Sequence, residues 1–188
     1  MTQLILVRRG QTDWDKQERV QGTLDIPLNN EGKEEAQKIS CELSGLKIAR
    51  IYSSPSCSSL STASEIALKH ELKVKEVPDL SELNCGHWQG LCVKDIKKRY
   101  GKQYGLWKAS PVSTQPPGGE SIKDACDRAI SALHKIVDKH SSEKICIVSG
   151  DIILSIIKCY LQNEILDNIC KTLKKNAWWE LIGYEKNR

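Results

Sequence analysis

Four consecutive apolar residues, Leu4-Ile5-Leu6-Val7, stop at two adjacent arginines and a glycine, Arg8-Arg9-Gly10. A run that short, apolar at every position rather than every second one, reads as a strand buried on both faces of a parallel sheet. The rest of the chain repeats the theme. Ala36, Ile39, Leu43 and Leu46 mark one face of a helix within 31–46, a strand is expected over 49–52, and a helix over 60–68. Residues 74–77 read as an edge or connecting strand. The stretch 92–117, with Pro111, Pro116 and Pro117, reads as partly irregular. Ile122, Ala125, Ala129, Leu133 and Ile136 then recur with a 3.6-residue period, with Ser121 placed to cap the helix. A buried strand at 145–148, a helix at 152–161 and an edge strand at 177–184 close the chain. The alternation predicts a three-layer α/β sandwich, a mainly parallel sheet with helices on both faces, formed by a single domain over residues 1–188.

Composition removes several functions. The net charge is +4 and the pI about 8.6, but no basic-aromatic interleave or nucleic-acid motif appears, so nucleic acid is not an expected partner. Lys94, Lys97, Lys98 and Arg99 form the densest basic run, read as the solvated face of a helix. The eight cysteines form no C-x-x-C pair and no zinc-finger spacing. They read as free thiols in a reducing compartment, with Cys126 and Cys146 at apolar positions. No metal or cofactor is expected. Met1 leads straight into the first strand and no apolar stretch could span a bilayer, so a cytoplasmic protein without membrane attachment is expected.

In parallel sheets ligands bind beyond the carboxyl ends of the strands. Three such ends carry polar residues: Arg8-Arg9-Gly10, Ser53-Ser54 and Ser149-Gly150-Asp151.

Leu6-Val7-Arg8-Arg9-Gly10-Gln11-Thr12-Asp13-Trp14-Asp15 resembles the Leu-Val-Arg-His-Gly-Glu/Gln-Thr-x-Trp-Asn motif of the histidine phosphatase (phosphoglycerate mutase-like) superfamily. Arg19-Val20-Gln21-Gly22 through Asp25-Ile26-Pro27-Leu28 resembles its Arg-x-Gln-Gly-x-x-Asp-x-Pro-Leu segment, with Gly32 and Ala36-Gln37 at the following helix positions. Ile51-Tyr52-Ser53-Ser54 with Thr62-Ala63, Leu80-Ser81-Glu82 with Gly86-His87-Trp88-Gln89-Gly90, and Pro117-Gly118-Gly119-Glu120-Ser121 with Arg128 continue the likeness in order. The Gly-x-Trp-x-Gly stretch is most similar to the small-phosphatase, α-ribazole phosphatase-like branch.

The resemblance implies a pocket of two arginines, two histidines and a glutamate, in which one histidine takes the phosphoryl group and convergent donors stabilise the transferring charge. Arg8 matches the first arginine and Glu82 the acid/base. Arg9 stands at the nucleophile, Ser58 at the second arginine, and Gly150 at the second histidine. A guanidinium has no lone pair to offer phosphorus and stays protonated up to pH above about 12. Asp15 stands where the family has Asn, and Gln21 lies in the Arg-x-Gln-Gly segment. The expected reading is therefore a phosphatase fold without phosphotransfer, a pseudoenzyme whose candidate anion-site residues are Arg8, Arg9, Asp15, Gln21 and Glu82.

Two readings of the arginines stand side by side. They bind a phosphate-bearing small molecule, or Arg9 pairs internally with Glu82, Asp15 or Asp151, since a buried guanidinium needs an acid or an anion. The rival functions are residual phosphomonoester hydrolysis by direct water attack with Glu82 as base, and a scaffold binding a protein partner through its outer surface. Cys57, Cys85 and His87 lie near the motifs, but they read as ordinary helix-start and loop residues. No arginine follows Cys57 at the spacing a cysteine phosphatase needs.

Overall fold

A computed structural model describes residues 1–166 and 178–184. Its elements run β1 (Thr2–Arg8), α1 (Asp13–Lys16), α2 (Asn30–Leu43), β2 (Arg50–Ser53), α3 (Cys57–His70), β3 (Val74–Glu76), α4 (Val93–Ala109), α5 (Ile122–Val137), β4 (Lys144–Ser149), α6 (Asp151–Gln162) and β5 (Trp179–Tyr184). Two short 3-10 turns, Pro78–Leu80 and Gly86–Trp88, lie between β3 and α4. The sheet order is β3-β2-β4-β1-β5, parallel except for β5, which runs antiparallel to β1 at one edge. β3 is the other edge, as its lysine-flanked sequence suggested. Ala177 and Cys170 lie outside the described residues.

β1 is buried on both sides because consecutive side chains serve different layers. Leu4 and Leu6 join a core with Leu133, Ile136, Ile153 and Ile157 from α5 and α6. Ile5 and Val7 join a second core with Ile39 and Leu43 of α2 and Ile66 of α3. Helices thus cover both sheet faces. Ser121 caps α5 by accepting a hydrogen bond from the Asp124 amide, 3.1 Å.

The stretch 92–117, expected to be partly irregular, is helical over more of its length than that reading gave it. α4 is a 17-residue helix, interrupted only by non-helical dihedrals at Tyr100. Its prolines all fall beyond the helix, in 110–121, so they end it rather than prevent it. Ile96 and Trp107 are its buried residues, and Trp107 packs edge-on against Trp88, ring centroids 5.9 Å apart. Lys94, Lys97, Lys98 and Arg99 are all exposed. Among the described residues no helix is long and apolar enough to cross a membrane.

Candidate functional site

The ends of β1, β4 and β2 lie side by side, so the three polar strand ends do come together. Arg9 N–H donates to the Ser149 carbonyl at 3.1 Å and Ser54 N–H to the Val148 carbonyl at 3.0 Å. The loop after β1 is held from below: Gly10 N–H donates to Thr62 Oγ1 at 2.9 Å, and that hydroxyl donates to the Ser58 carbonyl at 2.8 Å. Gly10 also lies backbone to backbone against Gly32 at the start of α2, where a Cβ on either residue would have no room. A cavity of about 290 Å³ opens at this end of the sheet. Arg9, Gln21, Gly22, Thr23, Asp25, Pro55, Ser56, Ser81, Glu82 and Gly150 line it.

Arg9 does not face the cavity as a free cation. Its Nη1 and Nη2 donate to Asp15 Oδ2 and Oδ1 at 2.7 and 3.0 Å, and Nη1 also donates to the Gly10 carbonyl at 3.0 Å. This bidentate geometry is the strong form of a guanidinium–carboxylate contact. The two side chains are 11% and 23% exposed. Asp15 does a second job as well. It closes a capping box on α1, accepting from the Thr12 amide at 2.7 Å while Thr12 Oγ1 accepts from the Asp15 amide. Burial alone would lower the Arg9 pKa, but Asp15, with the more distant charges of Asp151 and Glu82, holds it above the ordinary value. Burial alone would raise the Asp15 carboxyl; the Arg9 hydrogen bond and charge, with donors from Thr12, bring it below the usual carboxylate range.

Arg8 takes the other direction. It is not among the cavity-lining residues; its Nε stands 2.6 Å from Asp151 Oδ1. That is a close charge contact without hydrogen-bond alignment, since the same Nε has no hydrogen-bonding acceptor. Strand alternation explains the separation: Arg8 follows Leu6 onto the α6 side, where both border a small crevice with Leu154 and Glu180. Of the candidate acids for Arg9, then, Asp15 takes it and Asp151 takes Arg8.

Glu82 is fixed by backbone donors on both oxygens. Leu83 N–H donates to Oε1 at 2.6 Å, and Ile152 N–H, in the first turn of α6, to Oε2 at 3.0 Å. Burial pushes its carboxyl up, reinforced by the charge of Asp151 and only partly opposed by those two amides and Arg9. A Cβ built on Gly150 would stand 2.9 Å from Glu82 Cδ and closer still to Oε2. The space a side chain at position 150 would need is thus already filled by the glutamate. Ser58, at the other substituted position, is fully buried, and its Oγ has no hydrogen-bond partner.

Two residues named in the motifs were given no role from sequence. Asp25 Oδ1 accepts the Cys57 amide at 2.6 Å and so covers the first amide of α3. Arg128 grips the Glu82 segment: Nη1 donates to the Asp79 and Ser81 carbonyls at 2.8 and 2.7 Å, Nη2 to the Glu82 carbonyl at 3.3 Å, and Nε to Glu120 Oε1 at 2.6 Å. The signal for Arg128 was its spacing after Pro-Gly-Gly-Glu-Ser; for Asp25 there was none beyond its place in a motif. Of the cysteines weighed as nucleophiles, Cys85 is buried and its thiol is pushed up to about 12 by that burial, the wrong direction for attack. His87 is exposed.

A mainly parallel sheet covered on both faces, with the Arg8-Arg9-Gly10 turn and Glu82 beyond its strand ends, defines a phosphoglycerate mutase-like fold. The chain belongs to the histidine phosphatase superfamily (branch 1), whose match extends over residues 4–188. It is 30% identical over 188 residues to phosphoserine phosphatase 1 of Hydrogenobacter thermophilus, covering 100% of this chain and 89% of that protein. The structure of Bacillus stearothermophilus YhfR superposes with a TM-score of 0.92 at 26% identity, covering 98% of this chain and 92% of the other. The α-ribazole phosphatase of Shigella flexneri shares the fold at a TM-score of 0.87 and 21% identity, over 98% and 91% of the two chains.

Proposed function

We propose that this protein is a histidine phosphatase-fold pseudoenzyme: it does not pass a phosphoryl group through itself, and its cavity serves recognition or regulation. The observation that carries this reading is the chelation of Arg9 by Asp15 at the attack position. The side chain there has no electron pair to donate, and two hydrogen bonds hold it on Asp15. Two further positions support it. Ser58 supplies no charge to a phosphoryl group, and Gly150 supplies no donor, its side-chain space being taken by Glu82.

The likeness to a phosphoserine phosphatase favours a second reading, hydrolysis of a small phosphomonoester by water with Glu82 as base. Glu82 lines the cavity and each of its oxygens accepts one backbone amide, which fixes the carboxylate yet leaves lone pairs for a water, so a base at Glu82 is geometrically compatible with this reading. Incubation with a generic aryl phosphate separates the two. The pseudoenzyme gives turnover at the level of buffer and no phosphorylated protein on denaturing alkaline quench, under which a phosphoryl group on nitrogen would survive. Turnover abolished by Glu82→Gln establishes the rival, and a trapped phosphoprotein removes the proposal altogether.

A further inference from the structure

Three positive features beside the cavity are met by carboxylates of the chain itself. Asp15 chelates Arg9, Asp25 caps the Cys57 amide at the start of α3, and Glu82 caps the Ile152 amide in the first turn of α6. α3 and α6 are 14 and 12 residues long, so both first turns carry a substantial positive partial charge. Guanidinium groups and helix N-termini are the donors that an oxyanion would seek. Here the carboxylate oxygens stand in for those of a phosphate.

We infer that the cavity is a self-occupied oxyanion site, in which Asp15 and Asp25 exclude phosphate and phosphomonoesters, and that neutralising Asp15 turns it into a receptor for them. The inference rests on the proposed function but goes beyond it, since loss of transfer chemistry does not by itself require loss of anion binding. Asp15 is the controlling residue of the pair. It binds the arginine that lines the cavity, through both Nη atoms, whereas Asp25 covers a single amide from an exposed position. Asparagine at position 15 keeps an oxygen for the Thr12 amide and so preserves the α1 cap. It brings no charge to hold the guanidinium, which is then left to an anion in the cavity.

Calorimetric titration of the full chain with inorganic phosphate at neutral pH and low salt tests this. The expected result is weak or undetectable binding by wild type, at least roughly tenfold tighter binding by Asp15→Asn, and loss of that gain in the double variant Asp15→Asn/Arg9→Gln. Asp25→Asn, which touches an exposed side chain, should tighten binding by a smaller factor, about threefold, and keeps the test alive if Asp15→Asn fails to fold. Wild type binding phosphate as tightly as both variants overturns the inference, as does a gain that survives removal of Arg9. Neither outcome bears on phosphoryl transfer. Aryl phosphate turnover by wild type, in contrast, would sink the proposed function first.

Discussion

Arg9 and Asp15 meet through two parallel hydrogen bonds of 2.7 and 3.0 Å, so the arginine that follows Arg8 is clamped by the last residue of the same motif. Both sit where the superfamily motif has an uncharged side chain, and each would be a liability without the other. A lone Asp15 would set a carboxylate beside a phosphate site, and a lone Arg9 would be a mostly buried cation without a counter-charge.

That mutual dependence predicts non-additive stability. Asp15→Ala should destabilise the fold by about 1–3 kcal/mol, because it strands the guanidinium and opens the α1 capping box, with partial exposure moderating the cost. Arg9→Ala/Asp15→Ala should recover part of that loss. Urea denaturation of the two single variants and the double variant measures the coupling, and simple additivity would mean the pair contributes nothing.

Asp15 and Glu82 pull stability in opposite directions with pH. Asp15 is held below its unfolded value, so its contribution is complete above about pH 3.9 and is lost as pH falls through the lower folded value. Glu82 is held above its unfolded value, so its contribution is present below about pH 4.3 and disappears as pH rises through the raised value. Thermal melts from pH 3 to pH 8 should therefore show Asp15→Asn flattening the acid limb. Glu82→Gln should gain on wild type as pH rises. Parallel curves for wild type and Glu82→Gln would contradict the burial assigned to that carboxyl.

Restoring the missing histidine alone should achieve nothing catalytic. Arg9→His leaves Ser58 and Gly150 in place, and each absent transition-state donor typically costs about 10²–10³ in rate. Aryl phosphate hydrolysis by this variant should stay within about tenfold of the buffer rate. Gly150→His should in addition push Glu82 off the Ile152 amide, because the new Cβ needs the space its carboxylate fills. A crystal structure of Gly150→His with Glu82 unmoved would contradict the packing described above.

Ser58→Ala is expected to be neutral or stabilising, by roughly 0–1 kcal/mol, since it removes a buried hydroxyl that makes no hydrogen bond. Arg128→Lys should cost about 2–4 kcal/mol. A single ammonium cannot span Glu120 and the three carbonyls that one planar guanidinium reaches. Midpoints of urea denaturation check both, and a tolerated Arg128→Lys would show that other contacts position the Glu82 segment.

The layered architecture was legible because strand burial and helix periodicity are local properties: β1, β4 and α5 fall within two residues of where Leu4–Val7, Ile145–Val148 and the Ile122 series put them. The start of α4 was legible in the basic run Lys94–Arg99, but its length was not, because its apolar positions are few and the prolines past its end dominated the reading. α1 was missed although Thr12 and Asp15 have capping-box spacing, a signal that was there to be used. At the site, the substituted positions could be read from the motifs, but partner choice could not. Whether Arg9 reached Asp15, Glu82 or Asp151 depends on which side of the strand each arginine leaves, and the sequence carries no mark of that. The Glu82 carboxylate lying over Gly150 joins residues 68 apart in the chain, a contact that no local pattern encodes.

The doubly buried first strand has a consequence for how its alignment is chosen. Leu4, Ile5, Leu6 and Val7 are all nearly inaccessible, so sliding β1 by one residue against β4 would exchange apolar groups between the two cores at little hydrophobic cost. What such a slip would spoil is the sorting of the arginines, sending each toward the other's acid. The two carboxylates thereby act as a parity check on the strand, distinguishing odd from even where greasiness alone is indifferent.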